Sequence, residues 1–157
     1  MTHRLIPIFA ALLLCSPSVQ AQTTSYEHKD LAAGAAKATA EMHAQANRGD
    51  AMAQWNLGIM YAKGQGVKEN AAESVKWFRK ASDQGFAAAQ YELGVVCATG
   101  QGVPKNEVEA FKWLTLAAGQ GNPQAKTYLA NLEPTLTPAQ KENGQRMAMA
   151  FKPTKGR

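Results

Sequence analysis

The feature that most limits what this chain can fold into is an internal copy of itself. When residues 46–81 are laid over residues 82–117, 16 of the 36 positions are identical, against about two or three expected by chance. The run Gly49-Asp50-Ala51-Met52-Ala53-Gln54-Trp55-Asn56-Leu57-Gly58 returns as Gly85-Phe86-Ala87-Ala88-Ala89-Gln90-Tyr91-Glu92-Leu93-Gly94. Gly64-Gln65-Gly66-Val67 returns as Gly100-Gln101-Gly102-Val103, and Asn70, Glu73, Lys76, Trp77 and Ala81 return as Asn106, Glu109, Lys112, Trp113 and Ala117. A third copy begins at Gly121 with Ala125, Leu129 and Ala130 in phase, then loses the pattern. A period of this length marks stacked supersecondary units, each burying against its neighbours an apolar face it cannot bury alone.

Each unit reads as two helices around a glycine-punctuated turn. Ala53, Leu57 and Tyr61 recur at four-residue steps and Trp55 broadens that apolar face, as in an amphipathic helix. Small residues at Ala53 and Gly58 permit close approach of a neighbouring helix. Gly64 and Gly66 supply the turn. The second helix is predicted to start at Asn70, with Glu73 three residues on, a pairing that can cap free amides reciprocally. Asn106 and Glu109 repeat it. Val75, Phe78 and Ala81–Ser82 set the apolar stripe, with Trp77 beside it. Later, Asn122 precedes Pro123, and Thr137-Pro138-Ala139-Gln140 reads as a cap with proline at the first helical position.

The ends read as caps. Residues 30–47 hold the phase of a second helix, because Glu41 and Met42 fall where Trp77 and Phe78 fall one period later. Residues 138–151 supply a closing helix with Met147, Met149 and Phe151. The expected fold is all-α: a solenoid of roughly six helices in antiparallel pairs. The divisions are a leader and capping helix at 22–45, repeats at 46–81 and 82–117, and a partial third repeat with its cap at 118–151. A basic tail at 152–157 is expected to fray.

The string Ala53-Gln54-Trp55-Asn56-Leu57-Gly58-Ile59-Met60-Tyr61, followed by Gly64-x-Gly66-Val67 and Lys76-Trp77-Phe78-Arg79-Lys80-Ala81, resembles the Sel-one-like repeat, a tetratricopeptide-related family. The resemblance covers about residues 37–132. It implies a right-handed superhelix with a concave face formed mainly by first helices. It also implies an adaptor or scaffold role; exported bacterial members include partner-binding proteins and immunity proteins against secreted toxins. A cysteine-rich exported branch is linked to β-lactam binding or hydrolysis, but this chain lacks that branch's cysteine pair in each repeat. It departs from the repeat pattern where Cys97 stands in place of Tyr61, Ser74 in place of Ala110, and Phe86 in place of the capping Asp50.

Residues 1–21 are read as a secretion signal: a short basic start, an apolar run from Leu5 to Leu14, and Val19-Gln20-Ala21 before the cut. The run is too short to span about 30 Å of hydrocarbon. Leu14 before Cys15 is bulkier than lipoprotein signals carry. Removing 21 of the 157 residues leaves 136, carrying 16 basic and 12 acidic side chains. That excess of four positive charges is far from a nucleic-acid footprint. The mature chain is therefore expected in the periplasm or secreted, with no stable membrane insertion. Cys97 remains as the sole cysteine, so packing alone must stabilise the fold in an oxidising compartment.

The residues call for no catalysis, metal or cofactor. His28 and His43 lie fifteen positions apart and are expected to face solvent, whereas metal sites need several converging ligands. Cys97 sits at a periodic position facing the stack, as a buried inert thiol. Gly64-Gln65-Gly66 and its copy follow helices, not the strand that precedes a phosphate loop. Glu107 and Glu109 lie in a first helical turn, where negative charge is favourable by itself. Lys76, Arg79 and Lys80 read as a solvated face, and the in-phase Trp77 and Trp113 as packing residues.

What remains is the part of the first helices that the stack does not need. Met52, Trp55, Asn56 and Ile59 lie there in the first copy, with Ala88, Tyr91, Glu92 and Val95 as equivalents, and Gln124 and Tyr128 near by in the third. These positions vary while the framework stays fixed, as expected of a surface that reads a protein partner through aromatic anchors. Trp55 and Tyr91 are equally readable as packing between helices. Two other functions stay open: a hydrolase of cell-wall or β-lactam substrates, and a binder of anionic envelope polymers through Lys141, Arg146, Lys152, Lys155 and Arg157.

Overall fold

The computed structural model describes residues 33–154. The predicted signal, His28, Cys15, Lys155 and Arg157 lie outside that range. The chain divides into two units, Met1–Ala35 and Ala36–Arg157. Only residues 33–35 of the first unit are described, and both full repeats lie in the second.

Seven α-helices and one short 3₁₀ turn make up the described residues, with no strand among them. They are α1 (33–47), α2 (Ala51–Lys63), α3 (Ala71–Asp83), α4 (Ala87–Thr99), α5 (Glu107–Gly119), α6 (Pro123–Leu132) and α7 (Pro138–Met149), with the 3₁₀ turn at Glu133–Thr135. The helix count is one above the rough expectation, and the all-α repeat architecture is as expected. Helices α2 and α3 pair closely, as do α4 and α5, and each pair meets the next through α3 with α4 and α5 with α6.

The boundaries follow from local chemistry. Asp50, Asn70, Asn106 and Asn122 each place a side-chain oxygen 2.8–3.1 Å from the backbone N–H three residues on, satisfying one of the amides every helix start leaves free. Phe86 makes no such bond, so α4 begins uncapped by a side chain. The reciprocal cap expected at Asn70 and Asn106 is only half made. Glu73 reaches forward to Lys76 and Glu109 reaches across to Arg79, so neither carboxylate turns back. The complete box occurs at Thr137 and Gln140 instead. Helices α2 and α4 end on Gly64 and Gly100, whose φ of 65° and 79° lies in the left-handed region that side chains disfavour.

Close packing explains the small residues. A β-carbon on Gly58 would lie 2.4 Å from the Phe78 ring, and one on Gly94 2.7 Å from Leu114 Cγ. Leu57, Ala81, Leu93, Leu114 and Ala117 are fully buried between the layers. The two in-phase tryptophans are core residues, each with a lysine over its ring: Lys80 on Trp77 and Lys112 on Trp113.

A polar ladder runs through this core with the repeat's own period. Buried Gln54 donates from Nε2 to the Ala46 carbonyl at 3.0 Å and accepts from Gln84 at 2.7 Å. One period later, buried Gln90 donates to the Ser82 carbonyl at 3.2 Å and accepts from Gln120 at 2.7 Å. Each rung ties a first helix to the end of the second helix before it and to the end of the one after it. In the third copy exposed Lys126 takes this position and the ladder stops.

Both ends depart in detail from the sequence reading. Met42 and Ala46 of α1 join a core cluster with Ala53, Leu57 and Trp77, as a second helix would. His43 is half-buried rather than solvent-facing: its ring meets Tyr61 and Trp77 edge-on, with centroids 5.9 and 6.1 Å away. At the other end α7 packs mainly on α5, where Gly144 lets it approach Phe111. Met149 does not contribute to the core and is 78% exposed. Phe151 follows the helix and packs on Trp113 at 5.5 Å. As far as Thr154, the last described residue, the tail is held. Thr154 donates its N–H and hydroxyl to the Asp83 carbonyl at 2.8 and 3.1 Å, because Phe151 has already fixed the chain beside it.

Candidate functional site

The end of α2, the start of α3 and the middle of α4 enclose a groove of about 580 Å³. Ile59 and Ala62 of α2 form one wall, Val95 and Val96 of α4 the other, and Val75 and Phe78 of α3 the floor. The repeat geometry creates it. Consecutive first helices are separated by the second helix between them, and that helix sinks because Gly58 admits the Phe78 ring. Polar groups also line it: Lys63, Glu69, Glu92 and Gln101, with buried Ser74 on the α3 side.

Of the ten residues singled out from sequence, Ile59, Glu92 and Val95 line this groove. Trp55 and Tyr91 are partly buried and pack against the main core. The Trp55 ring lies 5.8 Å from that of Phe86, and its indole N–H is buried with no acceptor. Tyr91, Glu92 and Tyr128 come together on adjacent first helices. Burial, then the neighbouring Glu92 and Tyr128, raises the Tyr91 phenol above its ordinary range. Asn56 is half-buried, and Met52 and Gln124 are exposed. These residues therefore form a stripe along α2, α4 and α6, of which Ile59, Glu92 and Val95 line the groove.

Glu92 is the chemically distinctive member. Its carboxyl titrates above the ordinary range because burial strips its water, and Lys63 opposes that shift. Sequence periodicity did not find Lys63, Glu69 or the α3 floor. Lys63 and Glu69 flank the Gly64 turn, and a helical period assigns no face to residues at or beyond a helix end.

The other reactive groups are held in structure. Cys97 is 1% exposed and its thiol is pushed up to about 11, first by burial and then by Glu109. Glu107 pairs with Lys105 at 2.7 Å and Glu109 with Arg79 at 3.6 Å. Among the described residues no group of three or more His, Cys, Asp or Glu is placed to hold a metal, and no helix is long and apolar enough to cross a membrane. Lys141 and Arg146 lie on α7 and Lys152 follows it, away from the groove.

Comparison with known proteins gives a consistent picture. The family model of the Sel1 repeat matches residues 51–86 and 87–122, a frame that begins at α2 and α4. The chain is similar to a protective antigen present in uropathogenic Escherichia coli strains that displays an SLR fold. Identity is 30% and the TM-score 0.71, over 74% of this chain and 25% of that one. It is also similar to a Sel1 repeat protein from Oxalobacter formigenes, with 41% identity and a TM-score of 0.57, over 57% of this chain and 68% of that one. The chain thus spans a quarter of the length of the first of these. No curated protein matches it.

Proposed function

The chain belongs to the Sel1 repeat family, whose members are generally protein–protein interaction modules, and we propose that it holds a segment of a partner protein in the groove between α2 and α4. The repeat fold is generally a non-catalytic scaffold, and this one presents apolar walls with a polar margin. The observation that carries the reading is the division of labour between copies. Gly58, Leu57, Gln54 and Trp77 return unchanged as Gly94, Leu93, Gln90 and Trp113, while the groove residues Glu92 and Val95 stand where the first copy has Asn56 and Ile59. A fixed frame with variable contacts suits recognition better than catalysis.

The site of action in this reading is the periplasm or the exterior, reached through the signal at residues 1–21. An envelope adaptor and an immunity protein against a secreted toxin are its two concrete forms.

Panning a peptide library against the wild-type chain tests it. Selected peptides should lose about tenfold or more in affinity for an Ile59→Arg, Val95→Arg double variant whose helicity is unchanged. Equal binding to both proteins would overturn the reading.

A further inference from the structure

The groove between α2 and α4 carries more information than its shape. Its margin holds two carboxylates, Glu69 and Glu92, and one ammonium, Lys63. Among the described residues neither carboxylate is in an ion pair or accepts a side-chain hydrogen bond. Nearby acids behave differently: Glu73, Glu107 and Glu109 are paired with Lys76, Lys105 and Arg79. The fold does not require Glu69 or Glu92, because the adjoining copies hold Lys105 and Asn56 at those positions. They are therefore additions to the frame, placed where the wall is apolar.

Such an arrangement fits one kind of guest. Ile59, Val95 and Val96 offer aliphatic surface leading inward, and the carboxylates stand at its edge. Arginine and lysine combine an aliphatic stem with a charged head. We infer that the groove selects its partner segment through one basic side chain, whose stem lies on Ile59 and Val95 and whose head meets Glu92 and Glu69. This inference rests on the reading of the groove as the partner site.

The charges favour it over the opposite sign. An incoming cation finds two carboxylates against one ammonium, and that ammonium stays beyond ion-pair distance of both. Glu92 has already lost part of its hydration, so a charge-assisted bond there replaces lost water rather than competing with it. An acidic side chain would meet like charge in a partly desolvated site.

The test uses fluorescein-labelled peptide pools, each fixed at one position as arginine, lysine, citrulline, leucine or glutamate. Citrulline keeps the shape of arginine and removes its charge. Arginine or lysine pools should bind about tenfold or more tightly than citrulline pools. Glu92→Gln should erase most of that preference, and Lys63→Gln should enlarge it by removing the competing cation. Citrulline or glutamate pools binding as well as arginine pools would overturn the inference, as would a preference untouched by Glu92→Gln. If the pools lose binding to the Ile59→Arg, Val95→Arg variant without discriminating charge, the groove stands and the charge inference falls. If no pool responds to that variant, the groove itself is wrong.

Discussion

Placing one methyl group at Gly58 probes the close helix contact on which both the stack and the groove depend. The added β-carbon would sit 2.4 Å from both Cδ1 and Cε1 of Phe78. That ring is 2% exposed and cannot swing into solvent. Overpacking a filled core costs about 1–3 kcal/mol, and an overlap this deep on a rigid ring belongs in the upper half of the range. Alanine returns about 1 kcal/mol through its better helix propensity. The net expectation for Gly58→Ala is a loss of about 1–2 kcal/mol, or a fall in Tm of about 3–8 °C. Gly119→Ala is the matched control. Beyond its own helix backbone and chain neighbours no atom lies within 4 Å of the added β-carbon, and its φ is not positive, so it should gain about 0.4–1 kcal/mol. Urea unfolding followed by far-ultraviolet circular dichroism measures both. A Gly58→Ala protein as stable as wild type would show that α2 and α3 are not so close and that the groove floor is misplaced.

Two further outcomes test the core. Gln90→Leu breaks one rung of the ladder, losing the bonds to the Ser82 carbonyl and from Gln120; urea titration should show a loss of about 1–3 kcal/mol. Cys97 has a native thiol value pushed up to about 11, against an ordinary 9.0. Its contribution to stability is therefore complete below pH 9 and is lost as pH rises towards 11, an effect of about 2–3 kcal/mol. Cys97→Ala should remove that part of the alkaline slope, and a slope shared by variant and wild type would contradict the account.

The repeat was legible because the framework must meet itself. Leu57 and Leu93, or Trp77 and Trp113, occupy equivalent slots and are constrained alike. Periodicity also singled out Ile59, Glu92 and Val95, which line the groove. It did not reveal that Val75 and Phe78 floor the same groove, because a helical period separates apolar from polar faces without saying which neighbour each apolar residue meets. The half-made caps were illegible for a related reason. Asn70 with Glu73 fits the reciprocal pattern, but Lys76 lies one turn on and takes the carboxylate. His43 was misread as solvent-facing since its partners, Tyr61 and Trp77, come from two other helices. The anchoring of Thr154 depends on Asp83, 71 residues away, a separation no local pattern spans.

The claim that the α2–α4 groove holds a segment of a partner protein is tested most directly by site-specific photocrosslinking in intact cells. A photoreactive residue replaces Val95 in the groove wall or, separately, Lys76, which is exposed on α3 and outside the lining. The account predicts a discrete adduct with one partner protein from position 95 and none from position 76. An adduct formed only from position 76 would contradict it.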